Sequence, residues 1–146
     1  MIVFEDIYHV GIIVPDIEAA MRELGSRFGV GWRDPSTANV LVRDHMGERM
    51  LSPRVTFCDQ STPIALELIE ALPDTVWQCG EGSQLHHFGL YVDSVEEAIG
   101  DLGAGMTLEM AGLDRDGMLA GFCYVNDAVG VRMELVERGG LPPLKD

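Results

Sequence analysis

Residues 7–24 (IYHVGIIVPDIEAAMREL) and 85–102 (LHHFGLYVDSVEEAIGDL) are two versions of one unit. With His87 laid on His9, the copies share the His, a Gly two residues on (Gly11, Gly89) and a Val three later (Val14, Val92). They also share a Glu and an Ala beyond (Glu18 and Ala20, Glu96 and Ala98). Each copy reads as an apolar strand carrying one His, a turn, and an amphipathic helix. An internal repeat restricts the fold more than any single motif, because each half must bury its apolar face against the other.

The alternation of Ile7–Val14 predicts a strand with Tyr8, Val10, Ile12 and Val14 on one face and His9, Gly11 and Ile13 on the other. Pro15 suits a helix start, and Ile17, Ala20, Met21, Leu24 and Phe28 form its apolar stripe up to Gly29. Gly31 to Pro53 is irregular: Trp32 and Val40–Val42 suit short strands, while 33–37 and 44–49 read as loops. Arg54–Cys58 and Ile64–Glu70 form a hairpin, with Glu67 in the middle of the second strand. Ala71–Gln84 connects the halves.

In the second half, His87, Gly89 and Tyr91 share one face, and His86, Phe88, Leu90 and Val92 the other. Ser94 and Glu97 make a capping-box signature before the stripe Val95, Ala98, Ile99, Leu102. Strands follow at 106–110, 121–125 and 131–136, the last placing Arg132, Glu134 and Val136 together. The chain thus reads as one α+β domain over residues 1–146, with module 1 at about 5–72, module 2 at about 84–138 and a loose tail at 139–146.

His9 to Glu67 spans 58 positions and His87 to Glu134 spans 47, so module 1 carries 11 extra residues, placed between Asp34 and Pro53. The contexts LELIE around Glu67 and MELVE around Glu134 also agree. Buried ionised carboxylates cost several kcal/mol unless something pairs them. Two imidazoles and two carboxylates in register are what a divalent ion needs. Glu70 and Glu137 match across the copies as well, but at strand ends, where a solvated face is expected. His45 and Glu48 lie in a loop. Trp32, Phe57, Trp77, Phe122 and Tyr124 suit either core or pocket, and Arg54 and Arg132 either an anionic substrate or surface pairing.

The motifs YHVGIIVPDIEAA, ALELIEA, GEGSQLHHFGLYVDSVEEA and VRMELVE resemble those of the vicinal oxygen chelate superfamily, which includes glyoxalase I, methylmalonyl-CoA epimerase, extradiol dioxygenases and bleomycin-resistance proteins. The resemblance runs from about Ile7 to Glu137. It implies two βαβββ modules paired around a cleft, with His9, Glu67, His87 and Glu134 as ligands of one divalent ion (Ni, Co, Zn, Mn or Fe). It implies Glu134, with Glu67 as its counterpart, as the catalytic base of a lyase or isomerase. His87 rather than His86 aligns with His9, and strand parity puts His86 on the helix-packed face. The epimerases usually carry Gln in place of Glu67. Extradiol dioxygenases use two His and one Glu, and binders of the family often lack the ligands. Both remain alternatives. The resemblance also implies a homodimer and a small-molecule substrate with vicinal oxygens or an activated carbonyl.

Charge narrows the partners. A net charge of −14 offers no basic stripe for nucleic acid and disfavours polyanionic substrates. Three cysteines without CxxC spacing fit reduced thiols in a cytoplasmic protein, and neither a signal-peptide pattern nor a membrane-length apolar run occurs.

Overall fold

The computed structural model describes residues 2–80 and 82–140. Glu81 of the GEG segment and tail residues 141–146 lie outside the described residues. The first copy of the repeat is β1 (Ile7–Val14) and α1 (Ile17–Phe28), followed by β2 (Ser36–Thr37), β3 (Val40–Asp44), β4 (Gly47–Leu51), β5 (Arg54–Phe57) and β6 (Ala65–Glu70). The second is β7 (Gln84–Val92), α2 (Val95–Leu102), β8 (Thr107–Leu113), β9 (Leu119–Asn126) and β10 (Arg132–Glu137).

All ten strands join one mixed sheet in the order β2-β5-β6-β1-β7-β10-β9-β8-β3-β4. At its centre β1 runs antiparallel to β7, and each first strand pairs in parallel with the last strand of its own module, β1 with β6 and β7 with β10. The α+β architecture read from the repeat is therefore the observed one. The centre of the sheet holds the four strands that carry His9, Glu67, His87 and Glu134.

Both helices lie on one side of this sheet. Helix α1 packs through Ile17, Met21 and Leu24 on Val14 and Leu68, and α2 through Val95, Ala98, Ile99 and Leu102 on Leu90, Val92, Cys123 and Leu135. Asp16, not Pro15, is the N-cap of α1, accepting from Ala19 N; Ser94 does the same for α2 from Glu97 N. Phe28, placed in the apolar stripe by spacing, is instead 74% exposed in the last turn, just before Gly29 closes the helix in the left-handed region.

Glu70 and Glu137 are not solvated strand ends. Glu70 Oε2 accepts from Ile17 N and Glu137 Oε1 from Val95 N, each at 3.0 Å, so each parallel strand pair ends on a carboxylate holding the first N–H of its module's helix. Glu137 also accepts from Gly121 N.

The extra residues of module 1 are a second departure. Val40–Asp44 and Gly47–Leu51 form a tight hairpin around His45 and Met46, where 44–49 reads as a loop. Its β3 pairs with β8 of module 2, so the insertion extends the partner half rather than its own. Ser36–Thr37, also read as loop, is a short strand on β5, and Trp32 makes only an isolated bridge to Cys58. The curled sheet brings Val42 and Leu51 from one end into one core cluster with Val55 from the other, together with Ile13, Ile69, Trp77, Phe122 and Tyr124. Cys58, Cys79 and Cys123 are free thiols. No helix among the described residues is long and apolar enough to cross a membrane.

Candidate metal centre

Four strands deliver four polar side chains to one buried point. His9 and His87 are 0% and 2% exposed, and Glu67 and Glu134 are each 7% exposed. His9 Nε2 lies 3.0 Å from His87 Nε2, 3.0 Å from Glu134 Oε2 and 3.3 Å from Glu67 Oε2. His87 Nε2 lies 3.2 Å from Glu67 Oε2 and 3.3 Å from Glu134 Oε2. The sequence predicted this set, and the structure brings all four members together.

Glycine makes room for the crossing. His9 faces Gly89 across the β1–β7 ladder, and Gly11 faces His87. A Cβ at Gly89 would overlap the His9 ring, and one at Gly11 would overlap the His87 ring. Each module thus supplies the empty space into which the other module's imidazole turns. The shared glycines carried this signal in the repeat.

Two bulges alter the expected faces. Tyr8 is unpaired between Ile7↔Leu90 and His9↔Gly89, and His86 is unpaired between Gly11↔His87 and Ile12↔Leu85. An extra residue shifts side-chain parity by one, which sends Tyr8 and His86 to the cleft side beside His9 and His87. The Tyr8 ring stacks on Tyr91 at 3.7 Å between centroids. His86 does not pack against α2; its ring lies edge-on to Tyr124, and its Nε2 is 2.6 Å from Val76 O. Its Nδ1 is 2.9 Å from His87 Nδ1.

The electrostatics are those of a mutually neutralising cluster. Burial opposes charge on His9, but hydrogen bonds and charge from Glu134 and Glu67 outweigh it and raise the pKa to about 10. His87 is raised by the same balance. Burial alone would raise both carboxylates; the two histidines override it and hold Glu67 and Glu134 below the usual carboxylate range. His86 goes the other way: burial, then Arg132 and His87, lowers it to about 4, so it is neutral at pH 7.

The donor set fits a divalent ion. Bonds of about 2.0–2.2 Å to one centre leave neighbouring ligand atoms roughly 3.0–3.5 Å apart, the spacing these atoms already have. Among the described residues the buried Glu67 Oε2 has only its 3.2 and 3.3 Å contacts to the two histidines, a demand that an ion would satisfy.

A cleft of about 690 Å³ opens on this point, with Glu67 and Glu134 in its wall beside Tyr8, Tyr91, Phe122 and Tyr124. The Tyr124 hydroxyl accepts from Trp77 Nε1 at 3.0 Å, and burial with the Glu134 and Glu67 charges keeps the phenol protonated. Among the other sequence candidates, Phe57 and Trp77 line the cleft, and Trp32 packs under α1. Arg54 pairs with Glu18 and Glu70, and Arg132 with Glu109, so both serve as structural cations. Glu48 pairs with Arg43, and His45 lines a separate cavity; neither joins the cluster. A second acidic group, Asp16, Glu18 and Glu70, is accounted for by helix capping and Arg54.

The family model described as Glyoxalase/Bleomycin resistance protein/Dioxygenase superfamily matches residues 8–124, a span that holds the crossed His9–Gly89 and His87–Gly11 pairs. The chain belongs to this superfamily. No curated protein sequence matches it. Among solved structures it is similar to methylmalonyl-CoA epimerase from Mycobacterium tuberculosis, with TM-score 0.60 and 18% identity over 99% of this chain and 95% of that one. It is similar to the Streptomyces coelicolor methylmalonyl-CoA epimerase Q60A variant in complex with 2-nitronate-propionyl-CoA, with TM-score 0.59 and 19% identity over 92% and 98%. A methylmalonyl-CoA epimerase in complex with methylmalonyl-CoA and NH4+ gives 0.58 and 19% over 90% and 93%. At such identities the likeness establishes the fold. Glu134 lies beyond the matched residues of the superfamily, and its place in the cluster rests on the pairing of β10 with β7.

Proposed function

We propose that this protein is a divalent-metal-dependent lyase or isomerase of glyoxalase or epimerase type. In this reading His9, Glu67, His87 and Glu134 hold the ion, and a cleft carboxylate moves the proton on the carbon beside a substrate carbonyl. The observation that carries it is the convergence of two imidazoles and two carboxylates, all buried, with donor atoms 3.0–3.3 Å apart. A bound divalent ion would supply Lewis-acid polarisation of a substrate oxygen, which acidifies the neighbouring C–H.

The chain's own groups do the rest. Glu134 and Glu67 both line the cleft, so one can take the proton from a tetrahedral carbon and the other can return one to the opposite face of the planar carbon that results. Tyr124, held as a neutral phenol by its surroundings, can donate a hydrogen bond to charge developing nearby.

The substrate in this reading is a small molecule with vicinal oxygens or an activated carbonyl. The similar epimerases bind coenzyme A esters, but Arg33 is the one cation lining this cleft among the described residues, and the chain carries −14 overall. A compact monoanion suits that charge better than a polyanion. Homodimerisation belongs to the same proposal and is read by sedimentation.

Metal analysis of protein purified without added metal should give about one divalent ion per chain, and the double variant Glu67→Ala, Glu134→Ala should lose it. Equal metal content in both proteins would overturn the reading. With the ion present, deuterium should enter 2-oxo or thioester substrates in heavy water. Oxygen uptake with catechols instead would assign the protein to the oxygenases.

A further inference from the structure

We infer that His86 is a positioning residue that fixes the tautomer of His87 through a relay ending on the Val76 carbonyl. The inference rests on the metal reading above and adds a residue that the ligand set does not contain. A carbonyl oxygen can only accept, so at 2.6 Å the Nε2 of His86 carries the hydrogen. The other nitrogen of a neutral imidazole is then a bare acceptor. It lies 2.9 Å from His87 Nδ1, so that atom must donate. Once His87 is neutral, as ion binding requires, its lone pair is thereby left on Nε2, the atom that faces His9, Glu67 and Glu134.

A hydrogen-bonded outer nitrogen orients a ligating imidazole and raises its basicity. His86 can do this because the bulge at its position turns two consecutive side chains into the cleft side. The arrangement is also anchored from outside, since Val76 belongs to the Leu72–Gln78 turn, itself held by Leu72 N on Trp77 O and Gln78 N on Thr75 O.

The other module lacks the relay. Its bulge residue is Tyr8, whose ring meets His9 edge-on at 4.4 Å and stacks on Tyr91, and His9 Nδ1 has no hydrogen-bond partner among the described residues. His87 is therefore anchored at both ring nitrogens and His9 at Nε2 alone.

Chelator competition with zinc on the full chain tests this. The H86F variant keeps an aromatic ring but has no acceptor, and should bind zinc roughly 10–100-fold more weakly than wild type. H86N places an amide oxygen near the former Nδ1 and should recover most of that loss. In zinc-loaded wild type, long-range nitrogen–proton NMR should show the His87 hydrogen on Nδ1. Equal zinc affinity in wild type and H86F would overturn this inference while leaving the metal reading standing, whereas a His87 hydrogen on Nε2 would count against both. No zinc binding by wild type would overturn both.

Discussion

The two modules are copies in their ladders and differ in what surrounds their histidines. In module 2, His87 is tied through His86 to a backbone carbonyl; in module 1, His9 sits between aromatic rings with Nδ1 unpaired among the described residues. Module 1 carries the β3–β4 hairpin but hands it to module 2, where it pairs with β8. Module 2 holds its helix with a carboxylate that also secures Gly121 N, whereas Glu70 shares its carboxylate with Arg54. Duplication preserved the parts that build the site, the two His, two Glu and two Gly. The supporting parts diverged, and the second half became the more tightly fixed of the two.

Chemistry offers the sharpest way to break this comparison. Glu134→Gln should reduce solvent-deuterium exchange into substrate by roughly 10²–10⁴-fold, the contribution expected of a general base. Glu67→Gln should retain more of the exchange. Equal losses in the two variants would mean that both carboxylates move protons and that the modules remain chemically equivalent.

The glycines come next. Gly89→Ala drives a methyl into the His9 ring and Gly11→Ala into His87, and each should cost about 1–3 kcal/mol of stability from overpacking and lower the metal affinity. Gly11→Ala should do more harm to metal binding, because it displaces the ring that the relay holds in place. Chelator competition and denaturant melts on the two variants measure both effects.

Proton linkage gives a third test. In metal-free protein the raised pKa values of His9 and His87 contribute stability that is full below pH 6.5 and is lost for His9 as pH rises through about 10. The depressed Glu67 and Glu134 contribute stability that is full above pH 4.5 and is lost as pH falls through their lowered values. The metal-free melting temperature should therefore peak between about pH 4.5 and 6.5 and fall towards pH 10. Metal uptake near neutral pH should release protons, measurable by calorimetry in buffers of different ionisation enthalpy. No proton release would mean that the histidines are already neutral without the ion.

The smallest effect concerns the helix ends. Replacing a carboxylate that accepts a helix N–H costs about 0.5–2 kcal/mol. Glu137→Gln should lie at the upper end, since it also weakens the bond to Gly121 N, and Glu70→Gln at the lower. Thermal melts that rank them the other way would remove the claim that module 2 is the better anchored half.

Much of the site was legible because its members repeat. His9 and His87 each stand two residues before a glycine, and Glu67 and Glu134 sit in matching apolar strands. Spacing also gave both helices and their caps to within a residue or two. What was not legible depended on the ladder being interrupted. Period-two reading assumes unbroken pairing, and single unpaired residues at Tyr8 and His86 move both rings to the face opposite the one alternation assigns. Phe28 failed for a different reason: helical spacing defines a stripe but not how far along the helix that stripe is covered.

By itself the sequence determined the duplicated α+β plan, the four converging side chains and the glycines that leave room for two of them. All follow from local period and from repetition, which neighbouring residues enforce. Only the tertiary structure decided where the β3–β4 hairpin pairs, which carboxylates hold helix ends rather than face water, and which histidine backs another. Those outcomes depend on contacts between residues far apart in the chain: β3 meets β8, Glu137 reaches Val95, and Val76 fixes His86. No local pattern encodes such contacts, because they exist only once the curled sheet has brought its distant strands together.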